Sequence, residues 1–150
     1  MDLPKRILVP TDFGASSDRA LAYAVKLAKA LGAELVVLHA YEIPVVGFPD
    51  GALVATPALA ARITDGAQPG VRRALEAHAS AGVPMQSLVK QGPTWRTILD
   101  TATEVGAEMI VMGTHGRHGL PRALLGSVAE KVVRAATVPV LTVHVEDKGP

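Results

Sequence analysis

Short β-branched runs alternate along the chain with segments in which apolar residues recur every three or four positions. That alternation predicts a parallel sheet with helical crossovers. The first run, Arg6 to Val9, is ended by Pro10. After the turn PTDFGAS, Ser16 or Ser17 is placed to cap a helix. Leu21, Ala24, Val25, Ala28 and Leu31 carry its apolar spacing to a stop at Gly32. Glu34 to His39 (ELVVLH) is a strand whose unbroken apolar centre requires cover on both faces.

From Tyr41 to Gly70 the pattern degrades, with Pro44, Gly47, Pro49, Gly51, Pro57, Gly66, Pro69 and Gly70 as punctuation. A long loop, a short helix over Ala58 to Ile63 and then a break are expected. Val71 to Ser80 resumes as a helix ended by Gly82, and Pro84 to Lys90 reads as the third strand. Beyond Gly92 and Pro93, the hydroxyl of Thr94 is placed to cap a helix that buries Ile98, Leu99, Ala102 and Val105 and stops at Gly106. Glu108 to Met112 is the fourth strand, Gly113 to Gly126 a glycine-rich loop, Ser127 to Ala136 a helix, and Val140 to Val145 the last strand. With no shift in composition and no internal repeat, residues 1–150 read as one domain. The class is α/β: a doubly wound, five-stranded parallel sheet in the order 3-2-1-4-5 with helices on both faces. Its switch point falls between strands one and four. A ligand therefore belongs at their carboxyl ends, between PTDFG and GTHGRHG.

Composition narrows the partners. The 150 residues hold 15 Lys plus Arg against 14 Asp plus Glu, so the formal charge is 15 − 14 = +1. A chain of this length buries enough surface to fold without disulfide or metal. Its near-neutral charge lacks the electrostatic footprint of a nucleic-acid or anionic-membrane binder, and neither is expected as a partner. With no cysteine, thiol catalysis, Cys-ligated zinc and iron–sulfur clusters are excluded. The opening MDLPKRILVPTD has no signal-peptide core and no uncharged apolar run approaches a membrane span, so a cytoplasmic location is expected. Aromatic residues make up only 3%, too few for base-stacking platforms.

The densest chemical signal is Gly113-Thr114-His115-Gly116, then nine residues, then Gly126-Ser127 opening a helix. Glycines allow backbone to approach a ligand closely, and a helix start presents unpaired N–H groups to an anion such as phosphate. The same residues also admit a plainer role, in which Ser127 and Glu130 form a capping box and the glycines only make turns. No GxxxxGK[ST] occurs, and GxGxxG is absent after the first strand, which removes P-loop and dinucleotide-binding readings. In PTDFGASSD, Asp12 would repel a flavin phosphate, and the third strand ends in LVKQG rather than the phosphoacceptor Asp of a receiver domain.

ILVPTDFGASSDRAL at the start, with VMGTHGRHGLPRALLGSVAEKVVR and PVLTV at the end, resembles the universal stress protein family. Gly113, Gly116, Gly126 and Ser127 match that family's ATP-binding pattern without a gap, and only Tyr41 to Gly70 lies outside the resemblance. The resemblance implies an adenine nucleotide alpha hydrolase-like fold that holds ATP with Mg or Mn. Asp12 matches the acidic residue near ribose and metal, Pro10 and Thr11 the adjacent turn, and Ala40 a backbone contact to adenine. Met112 leads into the loop, Gly113, Thr114, His115 and Gly116 wrap the phosphates, and Gly126, Ser127 and Val128 bind phosphate at the helix start. Ala129 departs from the many ATP-binding members that carry Ser or Thr there.

Asp12 has a local alternative, because an Asp at a loop start bonds nearby backbone N–H groups. Arg117 and Arg122 either reach phosphate or solvate the loop. His115 and His118 lack the company that zinc requires, and His115 is the one proton acceptor that the loop offers to catalysis. His39 reads as a hydrogen-bonded core residue, His78 and His144 as surface positions, and Trp95 as packing. With no dedicated lysine or arginine finger evident, a nucleotide-dependent regulatory or protective stress protein is expected. The alternatives are a slow ATP hydrolase or nucleotidyl-transfer enzyme, and a scaffold or chaperone-like dimer. Val140 to Val145, uncharged until Glu146, forms an open sheet edge, so a homodimer through it is expected. The resemblance points to the same contact, and the alternative is a monomer whose Tyr41 to Gly70 segment covers that edge.

Overall fold

Ile7, Leu8 and Val9 are all fully shielded from solvent although successive side chains of a strand point to opposite faces. Both faces of the sheet are therefore covered. The computed structural model describes residues 2–43, 56–115 and 125–145. Its strands are β1 (Arg6–Pro10), β2 (Glu34–Tyr41), β3 (Met85–Gln91), β4 (Met109–Gly113) and β5 (Val140–Val143). Its helices are α1 (Ala15–Leu31), α2 (Pro57–Glu76), α3 (Thr94–Val105) and α4 (Ser127–Ala135). All five strands are parallel in the order β3-β2-β1-β4-β5, as the alternating pattern predicts.

The strand period of two divides the core. Ile7, Val9, Leu35, Val37 and Val111 pack on one face with α1 and with Val71 of α2. Leu8, Val36, Leu38, Ile110 and Met112 pack on the other with Ile98 and Ala102 of α3 and Ala129 and Val132 of α4. The register pairs Leu8 with Val36 and with Ile110, so like faces align across the central strands. Among the described residues no helix is long and apolar enough to cross a membrane.

Five local expectations need correction. The expected short helix and break are replaced by α2, which runs unbroken from Pro57 through Gly66, Pro69 and Gly70. Pro69 gives up a backbone donor in the helix interior, but tertiary contacts hold the turns on either side. Val71 is fully buried, and the Tyr41 hydroxyl bonds the Ala60 carbonyl at 2.9 Å and Thr64 Oγ1 at 2.6 Å. This helix packs on β2 and β3, away from the β5 edge that it was an alternative to cover. Neither Ser16 nor Ser17 is the cap of α1; Gly14 is, and the serines lie buried inside the first turn. At α3 the cap is Pro93, which has no side chain to accept a hydrogen bond, and Thr94 is the first residue of the helix, its N–H donating to Glu42 Oε1 at 3.0 Å. The capping box at α4 does not form, because Gly126 is the cap and Glu130 pairs with Arg134 at 2.9 Å. His78, expected at the surface, is half-buried.

Candidate functional site

A cavity of about 550 Å³ opens at the carboxyl ends of β1 and β4, at the switch point. Pro10, Thr11 and Asp12 enter it from β1, Ala40 from β2, Met112, Gly113, Thr114 and His115 from β4, and Gly126, Ser127 and Val128 from the start of α4. Every predicted site position within the described residues thus lines one space. Gly116, Arg117, His118 and Arg122 lie outside the described residues, as do residues 44–55 of the expected loop. Ser17, Thr94 and Ile98 also line the cavity, although the sequence marked them only as helix caps and a core position. Thr94 and Ile98 come from a helix with no recognisable motif, and only their i, i+4 spacing places them on one face.

The two glycines in the wall serve close approach. Neither has a positive φ. A Cβ on Gly113 would stand 2.8 Å from the Ser16 carbonyl carbon and collide with the Ser16 hydroxyl, and one on Gly126 would stand 2.8 Å from the Thr114 carbonyl oxygen. That oxygen accepts the Gly126 N–H at 2.7 Å, which clamps the start of α4 to the end of β4. Because a glycine caps α4, no cap side chain hydrogen-bonds the N–H groups of its first turn. Those N–H groups and the positive end of the helix dipole face the cavity that Ser127, Val128 and Ala129 line.

Across the cavity the β1 turn is knitted locally. Asp12 Oδ1 accepts the Gly14 N–H at 2.8 Å and the Ser17 hydroxyl at 2.8 Å. The local role of Asp12 is therefore realised, with both bonds on one carboxylate oxygen. The Thr11 N–H donates to the Leu38 carbonyl at 2.8 Å, and the Thr11 carbonyl accepts from His39 Nδ1 at 2.8 Å. On the β4 side, His115 Nδ1 lies 3.1 Å from Thr114 Oγ1, and the His115 N–H donates to Ser16 Oγ at 3.4 Å. Trp95 packs half-buried between α3 and α4, with Arg96 and Lys131 at 5.1 and 5.8 Å from its ring centre.

The model of the universal stress protein family matches residues 4–144. A universal stress protein of Thermus aquaticus is 38% identical over 141 residues, spanning 93% of this chain and 98% of its own. A solved structure from Methanocaldococcus jannaschii shares the fold with a TM-score of 0.79 at 24% identity, over 96% of this chain and 98% of that one. A universal stress protein crystallised in complex with cAMP has a TM-score of 0.66 at 28% identity, over 95% of this chain and 98% of its own. The chain belongs to the universal stress protein family.

Proposed function

We propose that this protein binds ATP, with Mg or Mn, in the switch-point cavity and acts as a nucleotide-dependent regulatory or protective protein in the stress response. The carrying observation is convergence: the close-packed glycines, the glycine-capped start of α4 and the Asp12 carboxylate border one cavity. At about 550 Å³ it is of the size that holds small-molecule ligands. Its two sides differ in chemistry. Ala40, Ile98 and Met112 suit a base, while Gly113 to His115 and Gly126 to Val128 suit phosphates. The second oxygen of Asp12 remains for ribose or for a metal shared with the phosphates. The nucleotide complex of a relative 28% identical supports the same ligand class.

Among the described residues, no Lys or Arg lines the cavity. Phosphoryl transfer depends on such charge at the transferred group, so this observation favours binding over hydrolysis or nucleotidyl transfer. The reading includes a homodimer through β5, to which unidentified protein partners respond according to nucleotide. A scaffold or chaperone-like dimer would keep the dimer without that dependence.

The test is thermal denaturation with millimolar ATP and Mg. Ligand at about 100 times its Kd stabilises by roughly 2.7 kcal/mol, or about 5 to 10 °C for a chain of this size. No shift overturns the reading. Mass spectrometry of the small molecule released by heating the purified protein checks the identity of the nucleotide independently.

A further inference from the structure

We infer that Phe13, which lies outside the cavity wall, is a positioning residue for Asp12, and that α2 sets the nucleotide site through it. This rests on the nucleotide reading above. Phe13 has φ +63°, the single positive value for a non-glycine among the described residues. A bulky side chain resists that left-handed region, which glycine enters freely, and such conformations persist only where the surroundings enforce them. Glycine is nonetheless placed one position later, at Gly14, and the strained position carries a ring.

The ring is what the surroundings grip. Its centroid lies 4.5 Å from that of His39 on β2. On α2, Gly70 leaves so little room that a Cβ there would be 3.1 Å from Phe13 Cζ and 3.2 Å from Cε1. The backbone on either side carries the site. The Phe13 N–H donates to Thr11 Oγ1 at 3.0 Å, the Gly14 N–H holds Asp12 Oδ1, and Thr11 and Asp12 line the cavity. A second path joins the same elements. His39 holds the Thr11 carbonyl and stacks at 6.4 Å on Tyr41, whose hydroxyl bonds Ala60 and Thr64 of α2. A displacement of α2 therefore acts on the turn that aims the carboxylate, although α2 contributes no residue to the cavity wall.

Simple core packing predicts that removing the ring lowers stability and leaves the ligand contacts alone. Positioning predicts a selective effect. The experiment is a double-mutant cycle of Phe13→Gly with Asp12→Asn, read by calorimetric titration of ATP with Mg into each folded protein. Expected is about a tenfold loss of affinity from Phe13→Gly in the wild-type background and little further loss beside Asp12→Asn, the coupling that residues acting together show. Wild-type affinity in Phe13→Gly, or the same loss in both backgrounds, overturns the inference. Should Phe13→Gly fail to fold, Gly70→Ala decides. It gives α2 a better helix former while its Cβ presses the ring, so affinity should fall several-fold without a drop in melting temperature. Unchanged affinity in Gly70→Ala overturns the inference. Wild-type protein that binds no ATP overturns the nucleotide reading and this inference with it.

Discussion

Gly113 at the end of β4 lies against Ser16 at the start of α1 with no room for a single carbon between them, since an added Cβ would stand 2.8 Å from the Ser16 carbonyl carbon. Helix and loop can meet there only because the residue is glycine. Gly113→Ala should force them apart at a cost of about 2 kcal/mol, in the range of overpacked cores. That lowers the melting temperature by roughly 4 to 8 °C. Gly66→Ala, with nothing within 4 Å of its Cβ, is the control and should melt at or above the wild type. Gly113→Ala melting with the wild type would show that the contact yields.

Asp12 serves both the turn and the ligand, and one substitution separates them. An asparagine carbonyl can still accept the Gly14 N–H and the Ser17 hydroxyl, so Asp12→Asn should melt within about 2 °C of the wild type, close to the ±0.5 kcal/mol of neutral changes. The lost charge should cost about tenfold or more in affinity for ATP with Mg, as expected for a charge-assisted contact. Asp12→Ala should lose both the turn bonds and the affinity. Calorimetric titration decides, and Asp12→Asn binding as well as wild type would place metal and ribose elsewhere.

The strands and their order are legible because Leu8, Val36 and Ile110, or Val9, Val37 and Val111, stand in unbroken β-branched or leucine runs whose burial needs cover on both faces. The site is legible for a related reason. A parallel doubly wound sheet puts its ligand at the switch point, and the glycines of GTHG and GS mark the loop that must pack tightly there. The continuity of α2 is not legible. Pro69 and Gly70 are local breakers, and what holds the helix across them is distant in sequence: Tyr41 on Ala60 and Thr64, and the ring of Phe13 on Gly70. The serines mislead in the same way. Ser17 satisfies Asp12 and Ser16 reaches His115, so both hydroxyls serve the site while Gly14 caps the helix.

Ala129 lines the cavity in the first turn of α4 with only 3% of its surface exposed. A hydroxyl there would meet any phosphate held by that turn. A hydrogen bond to a charged group contributes about 1.5 to 3 kcal/mol, and serine costs the helix about 0.5 kcal/mol. Ala129→Ser should therefore tighten ATP binding by about tenfold while lowering the apo melting temperature slightly. Unchanged or weaker binding would mean that phosphate does not reach this turn.

Turnover should be slow. Among the described residues the cavity wall holds no Lys or Arg, and His115 Nδ1 lies 3.1 Å from the Thr114 hydroxyl. Phosphate release from ATP with Mg is expected to stay well below about 1 per second, the lower range of ordinary enzymes. Faster release that disappears in Asp12→Ala would establish an ATPase and displace the regulatory reading.

The β5 edge can be tested one hydrogen bond at a time. Ile110 donates to the Pro139 carbonyl at 2.9 Å and Thr114 to the Val143 carbonyl at 3.3 Å, so Pro139 and Val143 turn their polar groups toward β4. In an extended strand the N–H and C=O of one residue share a side and successive residues alternate. Val140 and Thr142 therefore present theirs to the open edge, on a strand whose four residues are uncharged and half-buried. Two copies related by a two-fold axis would pair antiparallel through these groups. Thr142→Pro removes an outward donor and should convert a micromolar dimer to monomer in sedimentation while leaving the melting of the fold nearly unchanged. Val143→Pro strikes the inner ladder instead and should lower the melting temperature. A wild-type monomer at that concentration would sink the dimer, and a Thr142→Pro protein that still sediments as a dimer would move the contact away from β5.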